Sequence, residues 1–288
     1  MLDGAERVEI HRPTLGPEQF GIVQKPLGAF ERLYNQGWLR KLVILVVLAA
    51  VWEAYARWLN NALLVPTFSA TVEALVEGVV SGTIVDRTLA TIKVLLMGYA
   101  SGLVLAMLLT FFAIRTRIGT DFLEMMTAMF NPLPAIALLP LAMIWFGLGN
   151  GSLVFVLVHS VLWAVALNAL TGFRAVSGTV RMVGQNYGLS GVRFVAKVLI
   201  PAAFPSILAG LKIGWAFAWR TLIAAELVFG VSSGQGGLGW YIFQAKNQLD
   251  IPDVFGGLLA IILIGLLVEN VIFRFIEART VQRWGMQS

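Results

Sequence analysis

Met182-Val-Gly-Gln-Asn-Tyr-Gly188-Leu-Ser-Gly-Val-Arg-Phe-Val-Ala-Lys-Val-Leu-Ile-Pro201 interrupts an otherwise apolar sequence, and its reading decides how the rest is arranged. The stretch is mostly uncharged and lies between two runs apolar enough to cross a bilayer. Its positions Val192, Val195, Val198 and Leu199 recur at helical spacing, with Arg193 and Lys197 four apart between them. Pro201 is expected to end this short helix and to serve as a first-turn residue of the span that follows. A compact helix tied by a proline to a span can act as a lever, because displacing one end moves the other.

The composition sets the class. With 288 residues, 58% apolar and only 13% charged, and a mean hydropathy of +0.80, the chain lies outside the soluble range, where charge is about a quarter of all residues. It reads as an integral membrane protein. The absence of cysteine removes disulfides, thiolate metal sites and redox chemistry together, and His11 and His159 are too few and too far apart for a zinc pair. A net charge of +5 would suit nucleic acid, but the positive residues flank apolar runs instead of forming a soluble patch. They are orientation signals, and no nucleic-acid partner is expected.

Residues 1–41 form a polar tail with Pro13, Pro17 and Pro26 and one expected surface helix near Phe30 to Trp38. Spans are expected at 42–59, 86–114, 119–146, 152–173, 206–229 and 254–275, with the surface stretch 178–201 between the fourth and fifth and a short tail at 285–288. Ala54-Tyr-Ala56 mimics a signal-peptidase site, but the charged leader before it is too long for an ordinary signal peptide. Between the first two spans, Val72, Leu75, Val76, Val79 and Val80 share one face of an amphipathic helix. Arg115, Arg117, Arg174, Arg274, Arg279 and Arg283 follow span ends on one side, whereas the opposite connections hold little beyond Lys246. The positive-inside rule then puts both termini in the cytoplasm.

Several constellations carry chemistry or packing. Gly98, Gly102 and Ala106, and likewise Gly210, Gly214 and Ala218, are small-residue stripes that let helix backbones approach closely. Asn131, Pro132, Pro134 and Pro140 should kink or unwind the third span. Irregular backbone is tolerated at membrane depth where protein buries it or water reaches it, so this is either a pathway wall or a structural kink. Arg220 lies mid-span, and a charge there is a functional candidate. It either faces an aqueous path and offers a positive charge to an anion, or pairs with Glu269. Glu226, about 120° further round the helix, makes either an outer-gate hydrogen bond or an interhelical ion pair. Lys93, Lys212 and Glu53 are close enough to span ends to snorkel, and His159 reads as a hydrogen-bonded core residue. Gly234-x-Gly236-x-x-Gly239 matches a dinucleotide fingerprint, but no strand precedes it and it lies in a loop between spans. Its glycines fit a chain that folds back around a short re-entrant or interfacial helix at Leu238 to Phe243. No catalytic constellation, metal site or phosphate-binding loop is present in the sequence, so an enzyme is not expected.

Gly188 followed by Val198, Ile200 and Pro201 resembles the cytoplasmic loop of the membrane subunits of ATP-binding-cassette importers. The departure is at Met182, Val183 and Gly184, where that family has Glu-Ala-Ala. Asn131 to Pro140 with Trp145-Phe-Gly-Leu-Gly149, and Trp219-Arg-Thr-Leu-Ile-Ala-Ala-Glu226, resemble the nitrate, sulfonate and taurine branch. The resemblance implies an all-α polytopic protein with the type I importer fold: six transmembrane helices and a cytoplasmic coupling loop. It implies a permease of a bacterial inner membrane, importing a sulfonate such as taurine, or nitrate. Its partners would be a second copy, two ATPase subunits that bind ATP and magnesium, and a binding protein outside. Tyr187, Gly188, Leu189, Ser190, Arg193 and Pro201 would meet the ATPase; Asn131, Pro132, Pro134, Arg220 and Glu226 would line the path. The alternative is a self-sufficient ion-coupled transporter or channel for a small anion.

Overall fold

The computed structural model describes residues 34–229 and 236–283, and among them every regular element is helical. The surface helix expected to start at Phe30, Gly234 and the C-terminal tail lie outside the described residues. The chain divides into two units, Met1–Trp52 and Glu53–Ser288. In the first, helix α1 (Gly37–Leu59) begins, and its apolar run from Leu42 to Val51 is largely exposed, as suits a surface that meets lipid.

The second unit contains α2 (Phe68–Val80), α3 (Thr83–Arg115), α4 (Arg117–Phe130), α5 (Leu139–Phe146), α6 (Asn150–Ala175), α7 (Gly178–Asn186), α8 (Gly191–Phe194), α9 (Ile200–Phe229), α10 (Leu238–Asn247), α11 (Ile251–Leu267) and α12 (Arg274–Glu277). Among the described residues five helices are long and apolar enough to cross a membrane, or six if a bent pair is one span. The central post is α6, whose apolar window is 61% buried against 33% for α3.

The small-residue stripes explain why α6 is central. On α3, Gly98 lies against Leu157 and Gly102 against Val161, where an added Cβ would come within 2.8 Å of the valine Cβ. On α9, Gly210 lies against Asn168 and Val165, and Gly214 against Val165 and Val161. Both stripes are packing seams against the same helix, one from each neighbour. Lipid offers no hydrophobic drive for association, so backbone approach supplies the contact.

The third span, expected over 119–146 with a kink or unwinding at its prolines, is broken in two. Segments Arg117–Phe130 and Ala135–Phe146 meet at 88°, with Asn131 to Pro134 out of regular helix and a 3-10 turn at Ala135–Leu138 between. Pro132 and Pro134 remove two donors within one turn. Asn131 keeps helical angles and its N–H still reaches the Thr127 carbonyl, so the helix ends only at the prolines that follow it.

Pro201 does not end the helix before it. Instead α8 runs through a π-turn, Val195–Leu199, straight into α9, so the helix carrying the fifth span starts at Ile200 and not at Ser206. In that widened turn the Ile200 N–H donates to the Val195 carbonyl five residues back, just before the proline that has no N–H to give. Two further π-turns, Val268–Phe273 and Ala278–Gln282, extend α11 well beyond the expected end at Phe275.

Glu53 and Lys212 do more than snorkel. The Glu53 carboxylate accepts from Arg57 at 2.7 Å and from the Ser69 backbone N–H at 3.0 Å, which stabilises the first turn of α2. Lys212 pairs with Glu277 at 2.7 Å, joining α9 to α12.

Candidate functional site

The unwound corner after α4 opens one wall of a cavity of about 330 Å³. Asn131, Pro132 and Pro134 line it from the corner, and Arg220 and Thr221 from α9; His159, Ser160 and Trp163 line it from α6. The structure therefore brings together four of the five residues singled out for a pathway, from segments nearly ninety positions apart.

Arg220 is exposed to this cavity. Its Nε donates to the Ala216 carbonyl at 3.1 Å, and the guanidinium sits 5.6 Å from the centre of the Phe217 ring. Among the described residues it forms no ion pair with Glu269 or any other carboxylate. The Ser160 and Thr221 hydroxyls, 3.0 Å apart, join α6 to α9 just beside it.

His159 is not the hydrogen-bonded core residue expected. Among the described residues, neither of its ring nitrogens nor the Trp163 Nε1 has a hydrogen-bond partner. Phe130 stacks on Trp163 at 5.4 Å and 10°, and meets the His159 ring edge-on at 6.1 Å. Aromatic packing holds the imidazole where the sequence suggested a polar contact.

Glu226 lies elsewhere. It is 5% exposed, and its carboxylate accepts from the Thr91 hydroxyl at 3.0 Å and from the Gly239 N–H at 2.9 Å. The Thr91 oxygen in turn accepts from the Leu238 N–H at 2.8 Å. Two helices thus cap the first turn of a third, and the N-terminal dipole of α10 favours the carboxylate there. Gly237 permits the approach, because any Cβ at that position would run into Thr91 and Glu226. Arg87 adds bonds to the Gly236 carbonyl at 3.3 Å and to Gln244 at 3.4 Å. The cluster is made of hydrogen bonds, with no cation on Glu226 among the described residues. Glu226→Leu is expected to destabilise the protein by about 1–3 kcal/mol, and Glu226→Gln by less than half of that, because glutamine keeps one acceptor for Gly239. Unfolding titrations of the two variants check the ranking.

The stretch from Met182 to Pro201 forms a helical hairpin. Ser177 caps α7, accepting from the Val180 N–H at 3.3 Å. At the other end Gly188, with φ +71°, donates to the Gln185 carbonyl at 2.9 Å while Leu189 donates to Gly184 at 3.1 Å. This is a left-handed glycine termination that satisfies two last-turn carbonyls. Gly184 then lies against Phe194 and Val198, closing the hairpin. Arg181, not singled out from the sequence, donates to the Phe173 carbonyl at 2.7 Å and the Val176 carbonyl at 3.2 Å, capping α6. A basic residue a few positions beyond a helix end was the available signal. Tyr187 (82% exposed) and Val192 (79%) leave apolar surface at the tip, and Met182 and Val183 are exposed beside them.

The profile of the family described as "binding-protein-dependent transport system inner membrane component" matches residues 98–284. The chain is similar to the taurine transport system permease protein of Escherichia coli, 34% identical over 147 residues covering 51% of this chain and 52% of that one. It is 29% identical over 161 residues to the nitrate import permease protein of Synechocystis, covering 56% and 57% of the two chains. It is 30% identical over 149 residues to the bicarbonate transport system permease protein of Synechococcus elongatus, covering 52% and 50%. The chain spans about half the length of the curated relatives it matches. With the profile covering the stripes, the broken span, the hairpin and Arg220, the chain belongs to the family of binding-protein-dependent transport system inner membrane components.

Proposed function

We propose that this chain is the membrane-spanning subunit of an ATP-driven importer for a small anion, with a sulfonate such as taurine first and nitrate second. The observation that carries the reading is Arg220: a guanidinium without a carboxylate partner, facing a cavity beside unwound backbone, on a helix that continues from the hairpin. From Ile200 to Arg220 that helix runs roughly 30 Å. In this reading the exposed tip around Tyr187, Gly188, Leu189 and Ser190, with Arg193, seats on a separate ATPase subunit that binds ATP and magnesium. Two such ATPases serve two copies of the permease, and a binding protein outside delivers the solute. Both termini and the hairpin lie on the cytoplasmic side of a bacterial inner membrane. Closure of the ATPase pair moves the hairpin, and α9 carries that motion to Arg220. Glu226 and Thr91 hold α10 against α3 and α9 on the opposite side as an outer gate.

The test is uptake of radiolabelled taurine and nitrate into proteoliposomes. With ATPase, binding protein and enclosed ATP, uptake of at least one of the two is expected, and none without ATP. Equal uptake by the chain alone would instead establish a self-sufficient transporter or channel.

A further inference from the structure

The cavity holds more than a lone positive charge. Its volume of about 330 Å³ is room for roughly ten waters at ~30 Å³ each, far more than an inorganic ion of three oxygens fills. Such an ion would leave most of the cavity to water, and the aromatic part of the wall without a partner. The Phe130–Trp163 stack forms one face, and the Phe217 ring lies beneath the guanidinium. The polar groups lie on the remaining wall, Asn131 and Ser160 among them. The two Nη groups of Arg220 have no partner among the described residues, and the Thr221 hydroxyl lies beside them. The ring nitrogens of His159 and the Trp163 Nε1 are buried and unpartnered at the edge of the stack. An unsatisfied buried donor or acceptor costs about 1–3 kcal/mol, so native structures keep few of them, and this cavity gathers three such atoms on two adjacent turns of α6.

We propose that the Arg220 cavity is itself a selective binding site for a small organic sulfonate, engaging both its ends. This rests on the importer reading for its place in transport. The sulfonate oxygens meet the Arg220 guanidinium, whose planar fork matches an oxyanion in a bidentate way. The short apolar body lies on the Trp163 ring, displacing or sharing the place of Phe130. That movement uncovers the His159 ring, whose unprotonated nitrogen can accept from the ammonium at the far end. Phe130 is suited to this role because it is the last residue of α4, next to the unwound corner, where a small backbone change swings the ring. Selection here is separate from selection by a binding protein. Nitrate and bicarbonate, lacking an apolar body, gain the charge contact alone.

The experiment is equilibrium binding of tritiated taurine to the full permease–ATPase complex in nanodiscs, without binding protein. Saturable binding is expected, displaced by ethanesulfonate, with nitrate and bicarbonate at least about tenfold weaker; a methylene-sized apolar contact is commonly worth that factor. Arg220→Gln should weaken taurine at least about tenfold and Arg220→Lys less, since a point charge replaces a fork. Trp163→Leu should weaken taurine and ethanesulfonate several-fold while leaving the nitrate constant unchanged, a split that a general loss of structure would not produce. Co-elution of each variant with the ATPase checks assembly. No saturable taurine binding in the wild type, equal competition by nitrate, or an Arg220→Gln variant that binds like wild type overturns the proposal. Taurine binding at Arg220 in a complex that shows no ATP-driven uptake would leave this site standing and remove the importer reading; uptake without such binding would do the reverse.

Discussion

Gly188→Pro is expected to abolish ATP-driven uptake while leaving the membrane helices assembled. Gly188 has φ +71°, and proline is confined near −65°, so the termination of α7 cannot form. Proline also lacks the N–H that Gly188 donates to Gln185 at 2.9 Å. Nothing lies within 4 Å of a Cβ at this position, so the effect is one of backbone conformation and not of crowding. Gly188→Ala separates the two. It keeps the N–H and costs only about 1–2 kcal/mol for the left-handed conformation, so uptake should persist at a reduced level. The hairpin is joined to the bundle through Arg181 and the cluster of Phe173, Val176, Leu199 and Ala203, all away from residue 188, so insertion and thermal unfolding of the bundle should be little changed. Uptake in proteoliposomes and the ATPase rate with binding protein check it together. A proline variant that retains both would remove the lever from the mechanism.

Gly98→Leu is expected to prevent the bundle from forming. Even a Cβ at residue 98 would overlap the Leu157 side chain on α6, and leucine adds three more carbons. Overpacking a tight core costs about 1–3 kcal/mol, occasionally more, and at a seam where backbones touch neither helix can yield without breaking the contact below it at Gly102 and Val161. The control is Gly265→Ala, where the nearest neighbour to a new Cβ is the Trp219 Nε1 at 3.7 Å. That variant should be neutral or slightly stabilising, since alanine is the better helix former. Gel-filtration profiles after detergent extraction compare the two, with a monodisperse peak for Gly265→Ala and aggregate for Gly98→Leu.

What the sequence disclosed depended on how local the determinant was. Hydropathy placed α3 and α6 to within three residues at each end, because apolar length is a property of the segment alone. The spacing of Gly98, Gly102, Gly210 and Gly214 marked both seams but not that they share α6, which is a matter of topology. Pro132 and Pro134 announced an unwound corner, and the same local rule misread Pro201, through which the helix runs on. Glu226 was conspicuous in the sequence, yet its partner Thr91 lies 135 residues away and Gly239 sits in a segment that only the fold brings back. His159 looked like an ordinary core residue because nothing in its own helix reveals Phe130 and Trp163 packed around it. Gly184, out of keeping with the Glu-Ala-Ala pattern, is accounted for by Phe194 and Val198, against which a larger residue would not fit.

The capping of α10 by two distant side chains also orders the birth of the protein. Thr91 leaves the ribosome 135 residues before Glu226, an interval on the order of ten seconds at ordinary elongation rates. Until the glutamate and then Gly239 emerge, the threonine hydroxyl must wait in the bilayer or beside the insertion machinery with only its own helix to bond to. The seam of α3 with α6 can form early, but the bond that ties α3 to α10 cannot close until translation has passed α10.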